Sequence, residues 1–384
     1  MTNLLQLHTK EERIQLLSKT VKPFKQRVRQ LADDAFPYDN FKDLQEIGYP
    51  ALTVPKEYGG AGISLDELLT YQQIIAQADG STALSIGWHM GIMKHLGESK
   101  SWDENVYTKV IKNVIENGAL LNNAATEPAT GSPTRGGKPE TTAVKKDNGW
   151  VITGRKTFTT LSPILTYFVV SASIDGTDDV GNFLVKRDRE GVNVEETWDS
   201  IAMRGSGSHD LVLDQVHLDQ EDLVEIISNQ KRKPAGWLLH IPACYLGIAQ
   251  AAQKDAVSFA TSYSPNSIKG TISELPNVKQ KLGDLELLLL ESAYFLHAVA
   301  DKWDKSDEEA RNTMGPELGA VKLSVTNKAV QGVDLAMRVV GAQSLKLKNN
   351  FERYYRDVRA GLHNPPMDDM TIMQLADKSI REEG

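Results

Sequence analysis

Cysteine is almost missing from this chain: one thiol, Cys244, in 384 residues. A single thiol excludes an internal disulfide framework and fits a reducing cytoplasm. It lies in "HIPACYLG", an apolar stretch of helical character, and reads as a buried structural group rather than a nucleophile. Long apolar runs are missing too. None approaches the roughly 18–20 residues of a membrane-spanning helix, and the opening "MTNLLQLHTKEERIQ" has no secretory apolar core. A cytoplasmic location without a membrane partner is therefore expected. Basic charge is short as well, 43 Lys and Arg against 51 Asp and Glu, which disfavours nucleic acid because phosphate binding wants a basic face. The eight histidines form no HExxH pair and have no cysteines to complete a zinc set, so no metal is expected. No G-x-G-x-x-G opens a strand–helix unit, which argues against a nicotinamide site of the Rossmann kind.

What is present is ordinary for a globular protein: 40% apolar and 24% charged residues, enough chain for two or three domains. One stretch stands out. Residues 125–139 read "ATEPATGSPTRGGKP", small residues and glycines with one lysine. The nucleotide-binding loop G-x-x-x-x-G-K-[ST] does not fit, since Gly131 to Gly137 is one residue too long and Pro139 replaces the hydroxyl.

The local patterns change twice along the chain. Residues 1–118 read as helical, with capping boxes predicted at Thr9/Glu12 and Ser64/Glu67, and "VPKEYGGAG" marks a turn between helices. Residues 119–225 read as short strands. "TTAVKKDNGWVITG" predicts a hairpin around Asn148-Gly149. Further strands are expected from Tyr167, Gly181, Gly191 and Asp210, together forming a small antiparallel barrel or sandwich. Residues 226–384 are helical again, with two long helices suited to a bundle.

These segments, in this order and spacing, resemble the acyl-CoA dehydrogenase superfamily over essentially the whole chain. The residues that carry the likeness are Val54-Pro-Lys-Glu-Tyr-Gly-Gly60, Thr126-Glu-Pro128 with Gly131-Ser132, "WVITGRKTFTT", "MRGSGSHDLVLDQV" and "ERYYRD". The resemblance implies an α+β multidomain fold: an N-terminal helical domain, a central antiparallel β barrel or sandwich, and a C-terminal four-helix bundle. It also implies FAD (with FMN possible), an acyl-CoA substrate of fatty acid metabolism, an electron acceptor such as an electron-transfer flavoprotein, and a homotetramer or homodimer. Residue by residue, Asn123, Ala125, Thr126 and Ser132 would contact the flavin, with Gly131 and Ser132 near its phosphates. Thr160 would hydrogen-bond N5 with Thr159 beside it, Phe158 would cover one ring face, and Gly341 would belong to the bundle's flavin loop. The chemistry agrees: charge gathers near N1 and O2 of a reduced flavin, where N–H groups and hydroxyls stabilise it. Small residues let the backbone approach the ring. Arg204, Ser208 and His89 are candidate substrate contacts; for Arg204 a surface ion pair, and for His89 a satisfied core position, is the alternative. Arg356-Asp357 is expected to be a structural ion pair positioning the loop after it.

The chain departs from the family where the chemistry is hardest. Dehydrogenation needs a carboxylate to take the α-proton. One usual place for that Glu holds Asn364 or Pro365; the other, ten residues before Gly247, holds Trp237. The Arg that grips the FAD diphosphate is missing from "SYSPNSIKGTISELP". These losses resemble the dibenzothiophene monooxygenase branch, which has Leu-His-Asp-Pro where this chain has Leu362-His-Asn-Pro365. A His there can carry a proton at the reacting flavin. The leading expectation is acyl-CoA α,β-dehydrogenation with hydride transfer to flavin, with Asp368 or Asp369 as replacement base and His363 orienting the loop. The rival is a reduced-flavin monooxygenase with His363 in the site. A third is a flavin- or acyl-CoA-binding protein without turnover.

Overall fold

The computed structural model describes residues 3–32, 35–130, 137–227 and 233–383. Helices α1 (Lys10–Val21), α2 (Phe24–Gln30), α3 (Tyr38–Glu46), α4 (Leu65–Ala78), α5 (Gly80–Ser99) and α6 (Glu104–Asn117) come first. The capping box at Thr9 is complete: its hydroxyl accepts from Glu12 N–H at 3.2 Å and Glu12 accepts from Thr9 N–H at 3.1 Å. The one expected at Ser64 is half built. Ser64 accepts from Glu67 N–H at 3.1 Å, but the Glu67 carboxylate turns inward to Arg13 at 2.7 Å. The amides of Leu65 and Asp66 donate instead to Asp304, at 2.8 and 3.0 Å. A buried arginine outbids a local cap, and the C-terminal helices supply the missing acceptor.

Strands β1 (Leu121–Ala124), β2 (Thr142–Lys146), β3 (Gly149–Thr159), β4 (Tyr167–Ile174), β5 (Val180–Lys186), β6 (Val192–Glu195), β7 (His209–Asp219) and β8 (Leu223–Ile226) make one sheet. Its order is β6-β7-β3-β2-β4-β5-β8, with β1 also on β4. The sheet is mixed, where the strand spacing alone predicted an antiparallel arrangement: β1 and β2 both run parallel to β4. The reason is that the chain uses one edge of β4 twice. β1 pairs with Tyr167 to Val170, and β2 with Ser173 and Ile174 further along the same strand. The hairpin is also displaced by one residue. Lys146 pairs with Gly149, so Asp147 (φ +38°) and Asn148 form the turn and Gly149 is already strand. Gly149 is needed for close approach, since a Cβ there would lie 2.2 Å from the Leu218 carbonyl oxygen of β7.

Helices α7 (His240–Ser262), α8 (Pro276–Lys305), α9 (Glu308–Thr313), α10 (Gly315–Val340), α11 (Phe351–Asp357) and α12 (Asp368–Glu383) complete the chain. α10 packs against α7, α8 and α12 as the centre of the bundle, and α4 lies along α7. One apolar core consequently runs from Leu4 through the sheet to Val358. Cys244 is buried within it, its thiol donating to Gly80 O at 3.4 Å. Among the described residues no helix is long and apolar enough to cross a membrane.

Candidate active site

Strand alternation places Trp150, Ile152 and Lys156 on the buried face of β3. A lysine there needs a carboxylate, because an unpaired buried charge is costly. Glu127 supplies it at 2.6 Å, both side chains being essentially inaccessible. Glu127 also accepts from the backbone N–H groups of Glu140 at 2.6 Å and Thr141 at 3.0 Å. Burial opposes its charge, yet Lys156 and the Thr141 and Glu140 donors outweigh that and hold its pKa at about 2. Burial lowers the Lys156 pKa while Glu127 pulls it up. The glutamate thus clasps both ends of the glycine-rich segment, and Thr157 N–H donates to Thr126 O at 2.8 Å to fix its start against β3.

Beyond this clasp the backbone is strained. Phe158, Leu161 and Met203 have φ of +55°, +67° and +51°; conformations of this kind cost about 1–3 kcal/mol each and gather at functional sites. Gly207 (φ +55°) is crowded as well, a Cβ there meeting Phe36 and Pro163 at 2.7 Å. The strain aims side chains. Phe158 stands 63% exposed, edge-on to Trp198 at 5.8 Å. Thr160 Oγ1 lies 3.0 Å from Ser208 Oγ, which lies 2.8 Å from Ser206 Oγ. Leu161 N–H donates to Ser206 O at 3.1 Å, stitching the end of β3 to the turn at 203–208. Among the described residues Thr159 Oγ1 is buried without a partner.

The structure brings together Thr126, Phe158, Thr159, Thr160 and Ser208 of the expected set. Asn123 is exposed on β1; its N–H donates to Asn122 at 2.8 Å, and Asn122 donates to Thr160 O at 2.9 Å. Ala125 is half-buried beside it. Arg204 is exposed and makes no ion pair among the described residues. Gly131 and Ser132 lie outside the described residues. His89 is fully buried, with Nε2 3.0 Å from Pro50 O and Nδ1 accepting from Leu121 N–H at 3.1 Å. Burial first of all lowers its pKa to about 4, so its ring is neutral and occupied by backbone. Gly341 is exposed at the end of α10, with φ +65°. His363 is exposed in the turn Val358–His363. Asp368, at the start of α12, accepts from Lys322 at 3.1 Å and Asn327 at 3.2 Å, while Asp369 is exposed. Trp237 is buried, stacked on His240 at 5.9 Å. Arg356, expected to pair with Asp357, pairs with Glu352 at 2.8 Å, and the two residues grip the segment before the hydroxyl turn: Arg356 donates to Ile201 O at 3.0 Å, and Asp357 accepts from Met203 N–H at 2.7 Å.

Sequence reasoning missed Glu127, Lys156, Ser206, Trp198 and the Asp357 contact. Period-two alternation along β3 could have found Lys156; the others depend on tertiary folding.

An exposed aromatic face, a row of hydroxyls, an orphaned Thr159 oxygen and a free guanidinium on strained backbone fit a planar, hydrogen-bonding cofactor such as a flavin. The three-part architecture is that of the acyl-CoA dehydrogenase fold, a class of flavin-dependent oxidoreductases. Family models agree along the chain: acyl-CoA dehydrogenase N-terminal domain over residues 6–99, middle domain over 122–216 and C-terminal domain over 239–364. The chain belongs to the acyl-CoA dehydrogenase superfamily. It is 54% identical to "Putative acyl-CoA dehydrogenase YdbM" of Bacillus subtilis (strain 168), over 89% of each chain. It is 30% identical to L-evernosamine nitrososynthase of Micromonospora sp. (strain ATCC 39149 / NRRL 15099 / SCC 1413), over 85% of this chain and 79% of that protein. The solved dibenzothiophene monooxygenase (TdsC) of Paenibacillus sp. A11-2 superposes with a TM-score of 0.85 at 21% identity, covering 97% of each. Members of the family are flavin-dependent oxidoreductases.

Proposed function

We propose that this chain is a flavin-dependent oxidoreductase that receives its flavin reduced, as FMN or FAD, and uses it with oxygen on a small substrate. One observation carries the reading: no carboxylate is free for α-proton removal at either family position. Trp237 and either Asn364 or Pro365 occupy those places, and Asp368 is committed to Lys322 and Asn327. Asp368 and Asp369 also fall beyond residue 364, where the C-terminal family model ends. An imidazole in this segment can both donate and accept a proton through its two ring nitrogens. His363 is exposed at the end of its turn, and Asn364 beside it accepts from Tyr245 OH at 2.6 Å, which fixes the segment.

Bound flavin would supply electrons and the site of reaction with oxygen. The chain's own residues hold, orient and shield. Phe158 with Trp198 would cover one face of the ring. Thr160, backed by Ser208 and Ser206, offers a hydroxyl at the ring edge, and Arg204 offers a cation to a phosphate or an anionic substrate. His363, exposed at the end of its turn, would carry a proton between the reacting site and solvent. Copies of the chain assemble as a tetramer or dimer, supported by the exposed apolar stripe Leu287, Leu290 and Tyr294 on α8.

A second reading, acyl-CoA dehydrogenation with an electron-transfer flavoprotein as acceptor, is favoured by the 54% identical Bacillus subtilis relative, which is named for that activity. One experiment separates them. Protein loaded with oxidised FMN or FAD under argon is mixed with acyl-CoAs of graded chain length, and reduced flavin is mixed with oxygen in parallel. We expect no bleaching by any thioester, and a protein-dependent phase in the oxygen reaction that His363→Ala abolishes. Bleaching that is lost in Asp368→Asn or Asp369→Asn would establish the dehydrogenase instead.

A further inference from the structure

We propose that Asp357 is a positioning residue for the flavin-facing hydroxyl row, acting from the helical bundle through the amide of Met203. The inference rests on the flavin reading of the site but concerns the protein's own geometry.

Met203 is held from several directions. Its N–H donates to Asp357 Oδ1 at 2.7 Å. Its carbonyl accepts from Trp198 Nε1 at 3.1 Å and from Ser206 N–H at 2.9 Å, and Ser81 Oγ lies 3.9 Å from its sulfur. Both branches lead to the site, Trp198 to the exposed Phe158 ring, and Ser206 through Ser208 to Thr160. A left-handed methionine would relax unless held. The charged acceptor on α11 therefore sets the strained turn, and with it the ring edge.

The tether sits in a buried electrostatic cluster. Asp357 is 4% and Asp79 2% exposed. Arg353 lies 3.6 Å from Asp79, whose Oδ1 has no hydrogen bond among the described residues. Both carboxylates and Arg353 line a cavity of about 20 Å³ that Lys25 and Arg29 of α2 also reach. Arg356 on its own helix, and Cys244 and Tyr245 on α7, face Asp357 as well. Burial pushes its carboxyl up to about 7, against the Met203 N–H and Arg353, with Asp79 adding to the rise. A charge-assisted bond is roughly twice as strong as a neutral one. The hold on Met203 is therefore firm above neutrality and slackens as the carboxyl gains its proton.

The test pairs hydrogen exchange of residues 198–209, which needs no flavin, with FMN affinity across pH 5.5–8.5. In Asp357→Asn, exchange there at pH 8 should rise about tenfold while α8 is unchanged. Wild-type FMN affinity should fall several-fold on acidification through neutrality; the variant should be weak and flat with pH. Asp79→Asn, which still caps α5, should move the wild-type midpoint to lower pH. Wild-type exchange in Asp357→Asn, or an unmoved midpoint in Asp79→Asn, would overturn the proposal. Should Asp357→Asn fail to fold, wild-type exchange that does not change with pH beyond the intrinsic chemical rate overturns it too. Absence of FMN and FAD binding at every pH would sink the flavin reading, while the exchange result still decides the role of Asp357.

Discussion

At the scale of single residues, the Glu127–Lys156 pair decides whether the site exists. Removing one partner of a buried pair leaves the other charge uncompensated, which costs about 3–5 kcal/mol, whereas replacing both by apolar groups is often near neutral. Glu127→Gln should therefore destabilise by about that much and weaken flavin binding together with it. Urea unfolding checks the first, and fluorescence titration with FMN the second. Glu127→Leu combined with Lys156→Met should recover much of the stability but not the binding, because the amides of Glu140 and Thr141 stay unclasped. Equal losses in the single and double variants would refute the pairing argument. The linkage is favourable over the working range: a pKa held at about 2 gives stability that is present above 4.5 and drains only as pH falls toward 2. The sequence showed the clasp only in part. "TEP" was legible as a cofactor-side motif by resemblance, but the Glu's partner lies 29 positions away and joins it only when β3 folds back.

Elements were legible to the extent that each could be read alone. Strands β4 and β7 and helices α8 and α10 carry long, regular patterns and are found close to where the sequence predicts them. The strands β1 and β8 have four residues each and carry no strand expectation, whereas the equally short β6 is expected from Gly191. The parallel pairing of β1 and β2 with β4 is a property of topology and leaves no local trace. Helix α5 shows a related case. Its glycines look like helix weaknesses, since Gly costs about 1 kcal/mol relative to Ala in a helix interior. Tertiary packing explains them: a Cβ on Gly91 would lie 2.3 Å from the Trp237 ring, and one on Gly87 would lie 2.4 Å from His240. Gly91→Ala should therefore lower stability by about 1–3 kcal/mol through overpacking, despite the better helix propensity. Thermal unfolding with Trp237→Phe as a second background measures this. A smaller loss in that background would assign the cost to the indole, and a gain in the wild-type background would show that the helix yields.

Across the whole molecule, three buried groups set opposing pH dependences. His89 and His240 have pKa values lowered to about 4 and about 3 by burial, from 6.5. Below 6.5 the unfolded chain binds two protons that the native state refuses, so the stability they give above 6.5 is lost as pH falls through about 4 and 3. Asp357 works the other way. Its carboxyl, raised to about 7 from 3.8, takes a proton in the native state first, so its contribution is full below 3.8 and lost as pH rises through about 7. Between about 6.5 and 4 the three sum to one net proton taken up on unfolding, a slope of about 1.4 kcal/mol per pH unit. Other carboxylates add to the measured curve, but comparison of variants removes them. Among the described residues His240 has both ring nitrogens buried without partners, and unsatisfied groups of this kind cost about 1–3 kcal/mol. His240→Phe should accordingly be no less stable at pH 8 and show a slope shallower by about one proton. Asp357→Asn should be more stable than wild type at pH 8 and steeper by one proton below neutrality, even as it loosens the turn at Met203. Urea midpoints at half-unit intervals from pH 8 to 4.5 read both slopes. If the two variants shift the slope in the same direction, the opposition between core histidines and the buried aspartate is wrong.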